Sequence, residues 1–434
     1  MNGQLWDTRP LEFWNKIKEM RAKWEKSIED ETTILGQGNC NWARAFPNVT
    51  VIEDNPVGST IAYRDPEFAR KARLASEVRG WGKEICGYQG VMWGCQFLGH
   101  QADGSPFPKR DMVVPIPCVC DQHTKRGIQC RDFEPVPMWM QDNTRYLGPW
   151  DPEREVEMIN HKTYNTLRVI NDVERIFGQK FDDDLMKEFA SVSSKISDYM
   201  AEVYFMMSNI PAPLSIKDIY SFFQLGALVK FDLHETEELW KTIRDEVKWR
   251  VDNHIAGVPT ERFRWMEAHP PSWHFLKYYR YMEQYGAVCI GSQYTSNCAH
   301  QLEIKPDGTR GIREYRGLPA DLTLETREDI FRQGMGNDTR APSHFKTDEY
   351  CRPYALNEFA DYFNCDGAFF AIHRAGVGCT MTRKEQAMRL RDAGYSVMCY
   401  EISQSGDPTD LDEKRLLEQL DTWMEINGLR KLDS

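Results

Sequence analysis

Gly367-Ala-Phe-Phe-Ala-Ile372 is an unbroken apolar run that leads through Gly376 and Gly378 to Cys379. Short, bulky and bounded by glycine, it reads as a β-strand. Three further strand candidates share the last third of the chain, at 263–268, 286–292 and 395–402. They alternate with helical segments at 272–284, 382–393 and 411–427, the last carrying Leu416, Leu420, Trp423 and Met424 at helical spacing. Strand–helix alternation of this kind predicts a parallel sheet with helices on its faces. Ligands of open α/β sheets sit outside the carboxyl ends of the strands, which is where this run delivers Cys379.

Upstream the chain does the same thing again. Asp111-Met-Val-Val-Pro-Ile-Pro117 runs into Cys118-Val-Cys120-Asp121. The surrounding region, up to about Trp150, is loop-rich. Its spacing predicts a helix from Pro10 to Glu29, with Phe13, Ile17, Met20 and Trp24 in step, and another from Pro66 to about Val78. Turn signals fill Gly36 to Asn41 and Asn55-Pro56, and an apolar run lies near 135–140. From Asp151 to about Ile255 the pattern is helical. Leu185, Phe189, Val192, Ile196, Tyr199 and Val203 mark one helix face, and Leu239, Ile243, Val247 and Val251 another. Ser215 and Asp218 form a capping signal, and Pro211 and Pro213 separate helices. The expected organisation is therefore an N-terminal α/β domain (1–150), a helical segment (151–256) and a C-terminal α/β domain (257–434).

Composition narrows the function. At 434 residues, with 41% hydrophobic and 28% charged side chains, the chain supports two or three domains with real cores. A formal net charge of −12 argues against a nucleic-acid surface, though not against a local basic pocket for a phosphorylated ligand. No run approaches the roughly 18 apolar residues of a membrane span. The opening Met1-Asn-Gly-Gln-Leu-Trp-Asp7 has no basic stretch followed by an apolar one, so a cytoplasmic location is expected. In that reducing compartment the 12 cysteines are metal-binding, catalytic or buried rather than disulfide-bonded.

The cysteines at strand ends carry the chemistry. Thiolates converging from separate loops hold a soft metal or an iron–sulfur cluster, and Cys86, Cys120 and Cys379 are the trio that the placement suggests. Cys86 sits in Glu84-Ile-Cys-Gly-Tyr88, where Gly87 permits close backbone approach. No Cys-x-x-Cys array is present, so the residues alone leave a second reading open, that of ordinary buried thiols. Cys118, Cys95 and Cys130 are spare candidates; Cys118 and Cys120 point to opposite faces of an extended chain. Cys40, Cys289, Cys298, Cys351, Cys365 and Cys399 read as structural, with Cys289 and Cys399 inside core strands.

Polar groups accompany these thiols. His123 in Cys120-Asp-Gln-His-Thr-Lys-Arg126 has the chemistry of a proton donor, and Lys125 and Arg126 that of phosphate partners; a solvated helix start explains them equally. His373 and Arg374 carry the same two readings. Glu261-Arg-Phe-Arg-Trp265 runs to His269-Pro-Pro-Ser-Trp273, a strand entering a proline-rich turn that suits a pocket wall, with Trp265 read as core. There is no Gly-x-x-x-x-Gly-Lys-Ser/Thr loop, and Gly36-Gln-Gly38 lacks the third glycine of a dinucleotide fingerprint. His-Glu-x-x-His and Gly-x-Ser-x-Gly are also absent.

These pieces, in this order, resemble the 2-hydroxyacyl-CoA dehydratase / benzoyl-CoA reductase family over most of the chain. The matching stretches are Ile85-Cys-Gly-Tyr88 with Gly94, Val113-Val-Pro-Ile-Pro-Cys-Val-Cys-Asp121, and Arg262-Phe-Arg-Trp265 with Pro271-Ser-Trp273. Gly286-Ala-Val288, His373-Arg-Ala-Gly-Val-Gly-Cys379 and Gly394-Tyr-Ser-Val-Met-Cys-Tyr-Glu401 complete the set. The resemblance implies flavodoxin-like (Rossmann-like) parallel-sheet domains around a 4Fe–4S cluster at their interface, held by Cys86, Cys120 and Cys379. Gln101-Ala-Asp-Gly-Ser-Pro-Phe-Pro108 and the 120–126 stretch look most like the larger cluster-bearing subunit of an ATP-dependent benzoyl-CoA reductase.

That implies a paralogous cluster-bearing partner subunit, a ferredoxin, and ATP-hydrolysing activator subunits with a 4Fe–4S cluster of their own. The substrate would be an aryl-CoA, reduced through a ketyl radical to a cyclic diene thioester. The alternative is a 2-hydroxyacyl-CoA dehydratase. Tyr88, Trp93, Trp139 and Trp273 are the expected aromatic walls, Lys125 a substrate contact and His123 the proton donor.

Overall fold

The computed structural model describes residues 4–30, 33–36, 41–52, 58, 61–62, 64–82, 85–114, 134–140, 152–223, 225, 232–268, 276–291, 295, 302–312, 324–332, 355–373, 383–402 and 412–432. Helix α1 (Trp14–Asp30) buries Ile17 and Met20 and precedes strands β1 (Thr33–Gly36) and β2 (Val49–Ile52). Helix α2 (Pro66–Glu77) begins where Asp65 accepts a hydrogen bond from the Phe68 N–H at 2.9 Å and proline takes the first helical position. Helix α3 (Gly87–Leu98) stops at Gly99, whose left-handed φ of 76° turns its N–H back onto the Cys95 carbonyl. Strand β3 (Met112–Val113) follows. The central stretch supplies α4 (Pro152–Phe177), α5 (Asp183–Met206), α6 (Ile216–Phe223) and α7 (Leu233–Asp252). Asp182 and Asp232 cap the first turns of α5 and α7.

The last third alternates as its sequence dictates: β4 (Phe263–Glu267), α8 (Leu276–Tyr281), β5 (Ala287–Cys289), then a hairpin of β6 (Leu302–Ile304) and β7 (Arg310–Ile312). Helix α9 (Ala355–Tyr362), β8 (Gly367–His373), α10 (Arg383–Asp392), β9 (Ser396–Ile402) and α11 (Glu413–Ile426) complete it. The four strands expected there pair in parallel in the order β5-β4-β8-β9. A second parallel sheet, β2-β1-β3, forms in the first third. In both, the chain winds outward to one side of the first strand and then returns to its other side. The switch points thus lie between β4 and β8 and between β1 and β3, the places where doubly wound sheets receive ligands.

Both faces of the four-stranded sheet are covered. Phe263, Trp265, Cys289, Phe369, Ala371 and Met398 face a core shared with Leu416, Leu420 and Trp423 of α11 and with Tyr88, Val91 and Cys95 of α3. Met266, Ala268, Val288, Ala368 and Phe370 face the opposite core, with Val192, Ile196 and Val203 of α5, Ile243 and Val247 of α7, and Leu390 of α10. Each large apolar side chain so buried contributes roughly 1.5–3 kcal/mol. Trp265 is core, as its sequence context suggested. Cys289 is also buried, but Cys399 is exposed, contrary to expectation. Strand β9 is an edge strand on which Met398, Tyr400 and Ile402 turn inward and Cys399 and Glu401 outward.

Buried charge fixes how the helices meet the sheet. Arg264, fully buried on β4, donates to the carbonyls of Met207 (2.8 Å) and Asn209 (2.7 Å) just past α5 and of Phe363 (2.9 Å) just past α9. Its Nε lies 2.8 Å from the Glu261 carboxylate, whose other oxygen accepts from the Ala212 N–H. One guanidinium thereby caps two helix ends that would otherwise present unpaired carbonyls to a dry interior. Among the described residues no helix is long and apolar enough to cross a membrane.

Candidate functional site

Helix α3 builds the site. Every residue from Gly87 to Cys95 is buried, which is the behaviour of a helix surrounded by protein. One side, Tyr88, Val91 and Cys95, packs toward the four-stranded sheet. Ile85, just ahead of the helix, and Met92 and Trp93 pack with Val113 of β3 in the other sheet. The helix is a wedge between the two sheets.

Glycine makes that position possible. A Cβ at Gly94 would lie 1.8 Å from the Ala72 carbonyl oxygen of α2, and one at Gly58 2.2 Å from the Tyr88 carbonyl oxygen. The backbones touch where side chains would keep them apart. Ser76 of α2 adds a 2.6 Å hydrogen bond to the Gly90 carbonyl.

Cys86 is the N-cap of this wedge, with φ −54° and ψ 124°, partly exposed and outside any disulfide. The positive end of a helix dipole favours a thiolate over a thiol there, and metal binding needs the thiolate. The other described cysteines differ. Burial pushes the thiols of Cys95 and Cys365 up to about 12 and raises that of Cys289. Cys95, a spare ligand candidate from the sequence, therefore lies in the interior of the α3 packing, and Trp93, an expected pocket wall, is core at 1% exposure. Trp139 stacks under the Arg168 guanidinium, 5.0 Å from its ring centre.

Tyr88 is buried beside Tyr279, on the core side of α3. Cys120, Cys379, His123, Lys125 and Trp273, like Cys118 and Cys130, lie outside the described residues. In sequence, three described strands precede them. Strand β3 leads toward Cys118 and Cys120, β8 toward Cys379, and β4 toward Trp273. All three strands pack against or beside α3. Among the described residues no group of three His, Cys, Asp or Glu side chains forms a metal site. Cys86 itself suits one corner of a thiolate-bound cluster, being partly exposed at a positive helix end.

One further group has no signal in the sequence. Glu267, the last residue of β4, is 1% exposed, and its two carboxylate oxygens accept from the hydroxyls of Tyr220 on α6 and Tyr279 on α8. Burial raises this carboxyl to about 8, against the opposing pull of the two phenols and of Arg383. Arg383 is itself buried and donates to the Ala268 carbonyl (2.7 Å) and to Gln386 (2.8 Å). His373, at the end of β8, is 4% exposed. A cleft of about 570 Å3 opens elsewhere, lined by Arg310, Asp361, Asn364 and Tyr395. It adjoins the amino end of β8, away from the switch point.

Fold and site together mark a doubly wound α/β protein with a helix-capping cysteine set between two parallel sheets. Residues 73–426 match the family described as 2-hydroxyglutaryl-CoA dehydratase, D-component, and the chain belongs to that family. It is 22% identical over 178 residues to the (R)-phenyllactyl-CoA dehydratase alpha subunit of Clostridium sporogenes, covering 41% of this chain and 42% of that one. It is 24% identical over 234 residues to a benzoyl-CoA reductase subunit of Thauera aromatica, covering 51% and 53%. The chain spans about half the length of these relatives. At such identities the match does not choose between reductase and dehydratase.

Proposed function

We propose that this chain is the iron–sulfur subunit of an ATP-dependent, ferredoxin-linked aryl-CoA reductase of the benzoyl-CoA type. The observation that carries the reading is the wedge of α3, which sets Cys86 between the two sheets whose third strands lead toward Cys120 and Cys379. A 4Fe–4S cluster held by Cys86, Cys120 and Cys379 would supply single electrons at low potential, with one coordination position left for substrate. The chain's own residues do the rest. The walls around α3 exclude water from a radical intermediate, Tyr88 and Trp273 flank the acyl group, Lys125 meets a phosphate of the CoA, and His123 donates a proton. The three-part division at 150 and 256 belongs to this reading, as do a cytoplasmic location, a paralogous partner subunit, a ferredoxin and an ATP-hydrolysing activator.

The 101–108 and 120–126 stretches, which resemble the reductase branch, support the reductase reading. A 2-hydroxyacyl-CoA dehydratase is the second reading, favoured by the description of the family and by the phenyllactyl relative. Electron stoichiometry separates them: a reductase consumes two electrons per product, whereas a dehydratase needs one to initiate. The test is anaerobic turnover of the assembled complex with benzoyl-CoA, reduced donor and ATP, with products identified. Iron and sulfide content follows the ligands directly. Cys379→Ala should lower iron without unfolding the chain, and Cys399→Ala should leave it unchanged. Equal iron loss in both variants would count against the ligand set, and no iron in the anaerobic wild-type complex would reject both enzymatic readings.

A further inference from the structure

Strand β9 ends the four-stranded sheet, and among the described residues no strand pairs with its outer side. The Ser396 N–H donates to the Asp366 carbonyl at the start of β8, so the backbone groups of Ser396 and of every second residue after it turn inward. Those of Val397, Cys399 and Glu401 point outward, a row of donors and acceptors in register for another strand. Natural edges are guarded by lysine, proline, a bulge or brevity. Ser396-Val-Met-Cys-Tyr-Glu-Ile402 runs for seven residues with no lysine or proline, pairs with β8 without a bulge, and carries Glu401 as its one charge.

The surroundings add side-chain complementarity. On α10, Lys384, Met388 and Arg391 recur at steps of four and three and form one exposed stripe, with Met388 54% exposed. The stripe looks toward the edge: partial burial raises the Cys399 thiol, and Lys384 and Arg391 are the charges that pull against it. Arg391 has its neighbour Asp392 as an ion partner, at 3.4 Å on an exposed surface. Glu401 stands on the same face of β9 as Cys399. A two-fold axis at Cys399, the middle residue of β9, sets Val397 of one copy opposite Glu401 of the other. Each Glu401 then lies at the start of the other copy's β9, which Arg391 precedes by five residues, and the two Met388 side chains close over the Cys399 pair.

We propose that β9 is a self-association edge: two copies of this chain pair their β9 strands antiparallel about Cys399, joining two four-stranded sheets into one. The outward N–H and carbonyl groups of Val397, Cys399 and Glu401 form the ladder, and Glu401 of each copy meets Arg391 of the other. The cysteine side chains stand on the face of the joined sheet rather than in its seam, so they stay open to reagents. The pairing does not depend on which reaction the chain serves.

Analytical ultracentrifugation of the full chain tests this directly. The wild type should sediment as a species of twice the 50.6 kDa chain mass and dissociate on dilution. Opposed Cα atoms in such a pair lie about 5.5 Å apart, inside the disulfide range, so mild oxidation should link Cys399 to Cys399 and leave Cys399→Ser unlinked. Glu401→Lys should weaken the dimer about tenfold, and adding Arg391→Glu should restore it. Val397→Pro removes an outward N–H, spares the β8 ladder and should leave a folded monomer. A wild type that is monomeric at every concentration overturns the proposal. So does a dimer that neither links at Cys399 nor responds to Glu401→Lys. A chain that leaves this edge to a paralogous subunit or an unrelated protein, and does not pair with itself, overturns it as well.

Discussion

Gly90 and Gly94 lie one turn apart on α3, and the same substitution at each should have opposite effects. At Gly94 an added Cβ meets Ala72 of α2 at 1.8 Å from its carbonyl oxygen, 2.2 Å from the carbonyl carbon and 2.6 Å from Cα. All three are backbone atoms, so no rotamer relieves the contact. To reach an ordinary C···O separation of about 3.3 Å the helices must part by about 1.5 Å. Overpacking of this kind costs about 3 kcal/mol, and the gain of about 1 kcal/mol from replacing a helical glycine by alanine offsets part of it. The net expectation for Gly94→Ala is a loss of about 2 kcal/mol. At Gly90 the nearest atoms are Arg73 Cγ at 3.8 Å and Ile85 Cδ1 at 3.9 Å, ordinary contact. Gly90→Ala should therefore stabilise by up to about 1 kcal/mol. Equilibrium urea denaturation of the full chain reads both as shifts of midpoint at constant slope. If Gly94→Ala proves as stable as Gly90→Ala, the close crossing of α2 and α3, and the positioning of Cys86 that depends on it, is wrong.

Arg264→Ala should cost about 3–5 kcal/mol, since it strands the Glu261 carboxylate and several carbonyls in the interior; a loss under about 1 kcal/mol in thermal unfolding would refute the double cap. Among the described cysteines, Cys86 and Cys399 should react with a thiol-exchange reagent in the folded, metal-free chain and Cys95, Cys289 and Cys365 only on unfolding, as mass mapping of labelled peptides would report. Glu267 also ties stability to pH. Its folded-state value lies above its unfolded one, so the folded chain holds a proton that the unfolded chain has lost. Stability is full below about pH 4.5, falls as pH rises toward about 8, and levels off above it. At about 1.4 kcal/mol per pH unit the whole effect is at most about 5 kcal/mol, and it should vanish in Glu267→Gln. A wild type whose urea midpoint rises or stays level across that range, measured against the variant, refutes a proton-holding Glu267.

The C-terminal sheet was legible because its strands are short apolar runs in strict alternation with amphipathic helices, and those expected at 263–268, 286–292, 367–372 and 395–402 appear within a residue or a few of their bounds. The first sheet was not. Strands β1 and β2 have four residues each, too few for a period to register. Helix α3 was hidden for the opposite reason: Gly87-Tyr-Gln-Gly-Val-Met-Trp-Gly94 is poor in helix propensity, and Gly94 is there for the close crossing of α2. Cys399 was misplaced because a strand in sequence does not reveal that it will be an edge. Glu267 could not be foreseen at all, since its burial depends on Tyr220, remote in sequence and on a different helix.

Physical criteria sort the cysteines without appeal to relatives. A ligand must part with its proton at modest cost, and burial in an apolar interior works against that. Cys95, Cys289 and Cys365 fail on this ground, their thiols raised by desolvation that outweighs every opposing influence. Cys399 sits on an edge strand, its thiol also raised by partial burial. Cys86 alone among the described thiols combines partial exposure with a helix N-terminus, and it does so between two sheets wound in the same order. Repetition of that order explains why the proposed partners come from such distant parts of the chain. Each sheet has one switch point, each switch point borders a third strand, and each third strand is followed in sequence by one of the proposed ligand cysteines. A loop thiol at the mouth of a sheet remains near water and near backbone N–H groups, where a thiolate is tolerated. The same thiol a few residues earlier would be inside the sheet, protonated and inert, as Cys289 is.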